Sequence, residues 1–111
     1  MGTRGEDAAW EVYRTRGFRL LHRNWRCAIG ELDLVVRRGH LTVFCEVKTR
    51  RGADIGAGWE AVTPRKQAKL RSLALAYLQS CGAGAGPCRF DVASVAVRRG
   101  SVQVELFEDA F

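Results

Sequence analysis

The residues from Gly30 to Arg51, GELDLVVRRGHLTVFCEVKTRR, constrain the fold more than any other stretch, because apolar and polar residues alternate on both sides of a short turn. Leu32, Leu34 and Val36 alternate with Glu31, Asp33 and Val35. After Arg37-Arg38-Gly39-His40, Val43, Cys45 and Val47 alternate with Phe44, Glu46 and Lys48. Strand side chains repeat every second residue, so Glu31 and Asp33 share one face of the first strand, and Glu46 and Lys48 share one face of the second. An antiparallel hairpin brings the two sets together, placing three carboxylates and one lysine in a small space. Two carboxylates about 4 Å apart repel by roughly 4 kcal/mol at an effective dielectric near 20, and one lysine does not neutralise three of them. A proton, an arginine or a divalent cation each meets that need. Oxygen donors suit hard cations, so Mg²⁺ or Mn²⁺ is the preferred reading. The alternative is a surface hairpin in which Glu46 and Lys48 form an exposed ion pair worth at most about 1 kcal/mol. Against it, Val43, Cys45 and Val47 fill one face while Phe44 carries apolar character onto the other, so the second strand reads as central and covered on both sides.

Around this hairpin the chain punctuates itself clearly. Thr3 or Gly5 starts a helix with Glu6 and Asp7 in its first turn and Arg14 and Arg16 in its last, signs that suit the macrodipole, and Gly17 ends it. Phe18 to Trp25 reads as a strand, with Trp10 and Trp25 at the core or its edge. Arg50 to Trp59 has no periodicity and reads as a loop. Thr63-Pro64 starts a second helix, with Thr as N-cap and Pro at the first helical position; Leu70, Leu73, Ala74, Tyr77 and Cys81 follow at helical spacing. Gly82 to Pro87 is a connection that lacks the Lys-Ser/Thr ending of a P-loop. Arg89 to Val97 and Val102 to Phe107 form a closing pair of strands. Asp91, the polar member of an apolar strand, is assigned to bonding Arg89, a loop backbone or a helix end. A crossover through the second helix places the Arg89 strand parallel to the Leu41 strand. The expected fold class is therefore α/β: a mixed sheet flanked by helices, in the order α-β-β-β-α-β-β.

The chain has 111 residues with 47% apolar content, which predicts one domain, residues 1–111, able to bury a modest core. No apolar run has the length of a membrane span, and MGTRGEDAAWEVY lacks the pattern of a signal peptide, so a cytoplasmic protein is expected. Cys27, Cys45, Cys81 and Cys88 form no CxxC pair and read as reduced structural thiols. Lys plus Arg number 18 against 12 Asp plus Glu, a net charge of +6. Polyanions are the natural partners, nucleic acid ahead of a membrane surface, since no basic amphipathic helix with a bulky apolar face occurs. Arg50, Arg51, Lys66 and Lys69 flank the acidic cluster and are the expected contacts to a nucleic-acid backbone. A homodimer stays open.

The constellation of Asp33 with Glu46-x-Lys48 on a hairpin in this order resembles the PD-(D/E)xK nuclease superfamily, the restriction-endonuclease-like fold that includes archaeal Holliday junction resolvases. More of the chain resembles the YraN-like family of bacterial predicted endonucleases. The matching pieces are Gly5-Glu6 with Ala9, Gly17-Phe18, Asn24, Gly30 through Val35, Phe44 through Arg50, Ala61-Val62, Lys66, Tyr77-Leu78 and Arg89 through Val92. Cys45 stands where an aliphatic residue is usual in that family, and Asp109 where Asn is usual. The resemblance implies a restriction-endonuclease-like mixed sheet and a Mg²⁺- or Mn²⁺-dependent endonuclease acting on DNA, branched or structured DNA included. It implies catalytic roles for Glu31, Asp33, Glu46 and Lys48, with Asp33 and Glu46 as metal ligands. Glu6 is an accessory residue that reaches the pocket from the first helix, as the corresponding glutamate does in resolvases. Two other classes stand beside this one: a nucleic-acid-binding module that keeps the fold without turnover, and a scaffold that binds a protein through its basic face.

Overall fold

The computed structural model describes residues 3–51, 62–81 and 86–111, with the side chains of Thr3 and Arg51 excepted. The elements are α1 (Thr3–Thr15), β1 (Arg19–Cys27), β2 (Gly30–Arg38), β3 (Leu41–Arg51), α2 (Pro64–Cys81), β4 (Cys88–Arg98) and β5 (Ser101–Phe107), in the order read from the sequence. They build a five-stranded sheet, β1-β2-β3-β4-β5, in which only the β3–β4 pair is parallel. That parallel pair is the one bridged by the segment carrying α2, because parallel neighbours need a crossover. β3 continues through Arg51, so Arg50 and Arg51 belong to a strand where a loop was expected. The rest of that loop, like Gly82 to Ala85, lies outside the described residues.

Local chemistry sets the helix ends. Gly17 takes φ 86°, the Phe18 N–H donates to the Tyr13 carbonyl at 3.1 Å, and the Gly17 N–H donates to the Arg14 carbonyl at 3.1 Å, which closes α1 with a left-handed glycine. Thr63 Oγ1 accepts from the Lys66 N–H at 3.2 Å, capping α2. No helix among the described residues is long and apolar enough to cross a membrane.

The helices cover opposite faces of the sheet. Tyr13 and Ala9 of α1 pack with Phe18, Leu34, Val36, Val43, Cys45 and Ala93. On the other face, Leu70, Leu73, Ala74 and Tyr77 of α2 pack with Leu32, Val35, Phe44, Phe90 and Val92. β3 and β4 contribute to both clusters, as central strands must. Buried Asp91 is held on the α1 side: it accepts from Tyr13 Oη at 2.6 Å, from Arg89 Nε and Nη2 at 2.9 Å each, and from the Asp109 N–H at 3.0 Å. Burial and the neighbouring Cys45 and Asp91 keep the Tyr13 phenol protonated far above its ordinary pKa, so it serves only as a donor to Asp91. All four cysteines are free thiols.

The period of two breaks within the β1–β2 pair. Leu34 and Val36 face α1, but Leu32 joins the α2 cluster. Across the β1–β2 ladder, Arg23 pairs with Leu34 and Trp25 with Leu32, which leaves Asn24 opposite Asp33, and Asn24 takes φ 53°. A left-handed residue rotates the strand about its axis. His22 and Trp25, three residues apart, accordingly both meet Tyr77 on the α2 side. The simple expectation that Leu32, Leu34 and Val36 share one face is corrected: Leu32 lies on the α2 side, in the part of β2 that has left β3.

Candidate active site

The site forms where the sheet forks. Leu34–Cys45 is the last β2–β3 pair; beyond it β2 leaves β3, and Asp33 is the first residue in the gap. A strand that loses its neighbour has a backbone donor to satisfy. The Val47 N–H on β3 donates to Asp33 Oδ2 at 2.9 Å, so the carboxylate replaces the missing ladder acceptor and is fixed by it. Glu46, one residue earlier, has its side chain 12% exposed, and its Oε2 lies 2.9 Å from Lys66 Nζ. Asp33, Glu46, Glu31, Gly30, Lys66 and Lys69 line an open cleft of about 330 Å³ between the fork and α2.

Glu6 enters from the other face. Gly5 packs so tightly on β3 that a Cβ there would run into the Thr49 hydroxyl, so glycine lets the start of α1 lie directly on the strand. Asn24 Nδ2 donates to Glu6 Oε1 at 3.0 Å, and Arg23 lies 3.6 Å from Glu6 and 2.6 Å from Asp7. The left-handed twist at Asn24 is thus what turns its amide toward Glu6. Neither Asn24 nor Arg23 appeared among the sequence-based site residues. The available signal was an asparagine within a strand, a residue depleted in sheets and tolerant of positive φ.

Burial, then the charges of Glu46 and Glu6, push the Asp33 carboxyl up to about 7, against the opposing pull of the Val47 N–H. Its environment therefore disfavours the anion unless a cation arrives. Asp33 and Glu46 offer oxygen donors in a partly dry cleft, and an ammonium already stands against one of them, so the pair suits a hard cation. Among the described residues no three His, Cys, Asp or Glu side chains converge closely enough to hold a metal ion by themselves. A cation here would complete its shell with backbone, water or substrate oxygens.

The remaining candidates are distributed around this centre. Lys48 lies two residues beyond Glu46 on the same face, level with Ser94 of β4. The partner of Glu46 is Lys66 and not Lys48, which removes the simple exposed Glu46–Lys48 pair. Glu31 lines the cleft but turns to Arg26, 3.6 Å away, with its side chain 37% exposed. The Lys69 stem crosses Gly30, where a Cβ would approach its Cε to 3.1 Å. Arg50, on β3, has its Nε buried without a hydrogen-bond partner among the described residues. The side chain of Arg51 lies outside the described residues.

The model of a family described as "Uncharacterised protein family UPF0102" matches residues 5–95, which span every candidate residue. The chain belongs to the UPF0102 family. It is 48% identical to a UPF0102 protein of Parafrankia sp. (strain EAN1pec), over 100% of this chain and 95% of that protein. It is 45% identical to a UPF0102 protein of Pelotomaculum thermopropionicum, over 100% and 94%. A Rhodococcus jostii UPF0102 protein is 41% identical, over 100% and 95%. The family match and these relatives cover the fork, the Glu6 helix and the Lys66 helix together.

The raised Asp33 pKa gives the stability of this protein a testable pH dependence. In the metal-free protein the folded state holds a proton on Asp33 up to about pH 7, whereas the unfolded chain releases it near the ordinary value of 3.8. The stabilisation from that proton is complete below about pH 4 and is lost as pH rises through 7. Asp33→Asn should therefore be more stable than the parent at pH 8, by about 1–2 kcal/mol, and the difference should shrink as pH falls toward 4. Urea midpoints of both proteins at pH 8, 6 and 5 in EDTA test this; a difference independent of pH would contradict it.

Proposed function

We propose that this protein is a metal-dependent endonuclease that hydrolyses phosphodiester bonds in DNA, branched or otherwise structured DNA included. The reading treats residues 1–111 as one domain working in the cytoplasm. The observation that carries it is the fork: two adjacent carboxylates, Asp33 and Glu46, with a lysine on the same strand face as Glu46 and a cleft open toward lysines of α2. The PD-(D/E)xK likeness of Asp33 with Glu46-x-Lys48 and the net charge of +6 support the same conclusion.

Phosphodiester hydrolysis needs an activated water and stabilisation of charge on the phosphate. Asp33 and Glu46 would hold Mg²⁺ or Mn²⁺, which when bound supplies charge neutralisation at the phosphate. The Val47 N–H keeps Asp33 aimed into the cleft. Lys48 orients or deprotonates the water, or stabilises the growing charge. Glu6, steadied by Asn24 and Arg23, adds negative charge from the α1 side. Arg50, Arg51, Lys66 and Lys69 would contact the nucleic-acid backbone near the site.

A second reading has its own observation. Glu46 is already paired with Lys66, and two carboxylates are a small ligand set, as expected of a binding module that keeps the fold without turnover. Labelled junction, flap, single-stranded and duplex DNAs incubated with Mn²⁺, Mg²⁺ or EDTA separate the two. Cleavage of at least one substrate that EDTA abolishes supports the nuclease. Binding that weakens steeply with salt, without cleavage, supports the module. Neither cleavage nor salt-sensitive binding rejects both.

A further inference from the structure

Lys66 presents a contradiction that the fork resolves. It lies in the first turn of α2, a turn that has no acidic residue, where a cation opposes the positive end of the helix macrodipole. Yet its ammonium is extended to Glu46 at 2.9 Å. Glu46 is nearly enclosed, and its carboxylate needs a counter-charge. Lys66, by contrast, is 47% exposed and carries its charge on a long rotatable stem, so withdrawing it costs little. The same residue lines two neighbouring concavities: the acidic cleft with Glu31, Asp33 and Glu46, and a basic shelf with Thr63, Arg65 and Lys69. It stands at the border between a place for a cation and a place for an anion.

We propose that Lys66 is a resident counter-ion for Glu46, which an arriving divalent cation displaces from the acidic cleft and which then joins Lys69 and Arg65 in holding substrate phosphate. This builds on the metal-dependent reading and adds an exchange step to it: one ammonium leaves Glu46 as the divalent cation enters, and the two positive charges that arrive are matched by the ionised carboxylates of Asp33 and Glu46, so no excess charge accumulates in the cleft. Metal binding and phosphate binding are thereby linked through a single side chain. Lys69 lines the same cleft without an ion pair to Glu46 among the described residues, which makes it the natural control.

The test is calorimetric titration of Mn²⁺ into the intact protein without DNA, for the parent, Lys66→Met and Lys69→Met, each shown folded by circular dichroism. Lys66→Gln serves as a second variant in case the methionine variant misfolds. Removing a competing ammonium should tighten Mn²⁺ binding by about tenfold at Lys66, whereas Lys69→Met should change it by no more than about threefold through the general field. Heat that appears only in the Lys66 variants overturns the exchange, since the cation then fails to displace the lysine, while the metal site stands. If the parent binds Mn²⁺ and both variants shift its affinity equally or not at all, the exchange is overturned while the metal site stands. If no protein gives Mn²⁺-dependent heat, the exchange and the metal-dependent reading fall together.

Discussion

Asp33→Asn should reduce DNA cleavage by about a hundredfold or more while leaving DNA binding in EDTA unchanged or stronger. The substitution keeps the size of the side chain, and an amide oxygen can still accept from the Val47 N–H, so the fork retains its geometry. What it removes is one of the two carboxylates available to a cation and one charge that repels phosphate. Lys48→Ala should abolish cleavage for a different reason, since Asp33 and Glu46 remain and Mn²⁺ binding should persist. Cleavage rates of purified, folded Asp33→Asn with Mn²⁺, alongside anisotropy binding curves in EDTA, decide the matter. Parent-like cleavage by this variant would locate any nuclease activity elsewhere.

Asp91→Ala should cost about 3–5 kcal/mol of stability, the penalty of leaving buried charged and polar partners uncompensated. The Tyr13 hydroxyl and the Asp109 N–H lose their acceptor at once, and the Arg89 guanidinium keeps only Glu108, at 3.4 Å. They come from α1, from β4 and from the segment after β5, so the carboxylate ties both ends of the chain to the centre of the sheet. The loss is a large part of the roughly 5–15 kcal/mol that holds a domain of this size. Thermal unfolding should fall by about 12–40 °C, at about 4–8 °C per kcal/mol. A change of less than about 1 kcal/mol would mean that Asp91 is not the hub its contacts describe.

The two predictions also mark what was readable in the sequence. Asp33, Glu46 and Lys48 stood out because their spacing on two strands is local and a hairpin brings such residues together. Element order and the parallel β3–β4 pair followed from turn chemistry, the Thr63 cap and the crossover rule. The role of Asp91 could only be narrowed to a bond with Arg89 or with backbone, since Tyr13 lies 78 residues away and no pattern joins them. Lys66 was expected to face phosphate, yet it faces Glu46, because the packing of α2 on the sheet, and not its helical periodicity, sets which cleft its first turn overlooks. Asn24 was missed because a backbone rotation at one residue leaves the surrounding alternation almost intact in the sequence.

That rotation has an effect at the sheet's border as well. Among the described residues β1 is an outer strand with one side unpaired, and a straight outer strand is a template on which another chain can add. Here the ladder slips between Leu20 and His22, Asn24 twists the strand two residues later, and Arg19, Arg23 and Arg26 are spread along it. An incoming strand would find neither a continuous row of hydrogen-bonding groups nor a neutral surface. The irregularity that turns one amide toward Glu6 thereby also protects β1 against edge-to-edge aggregation.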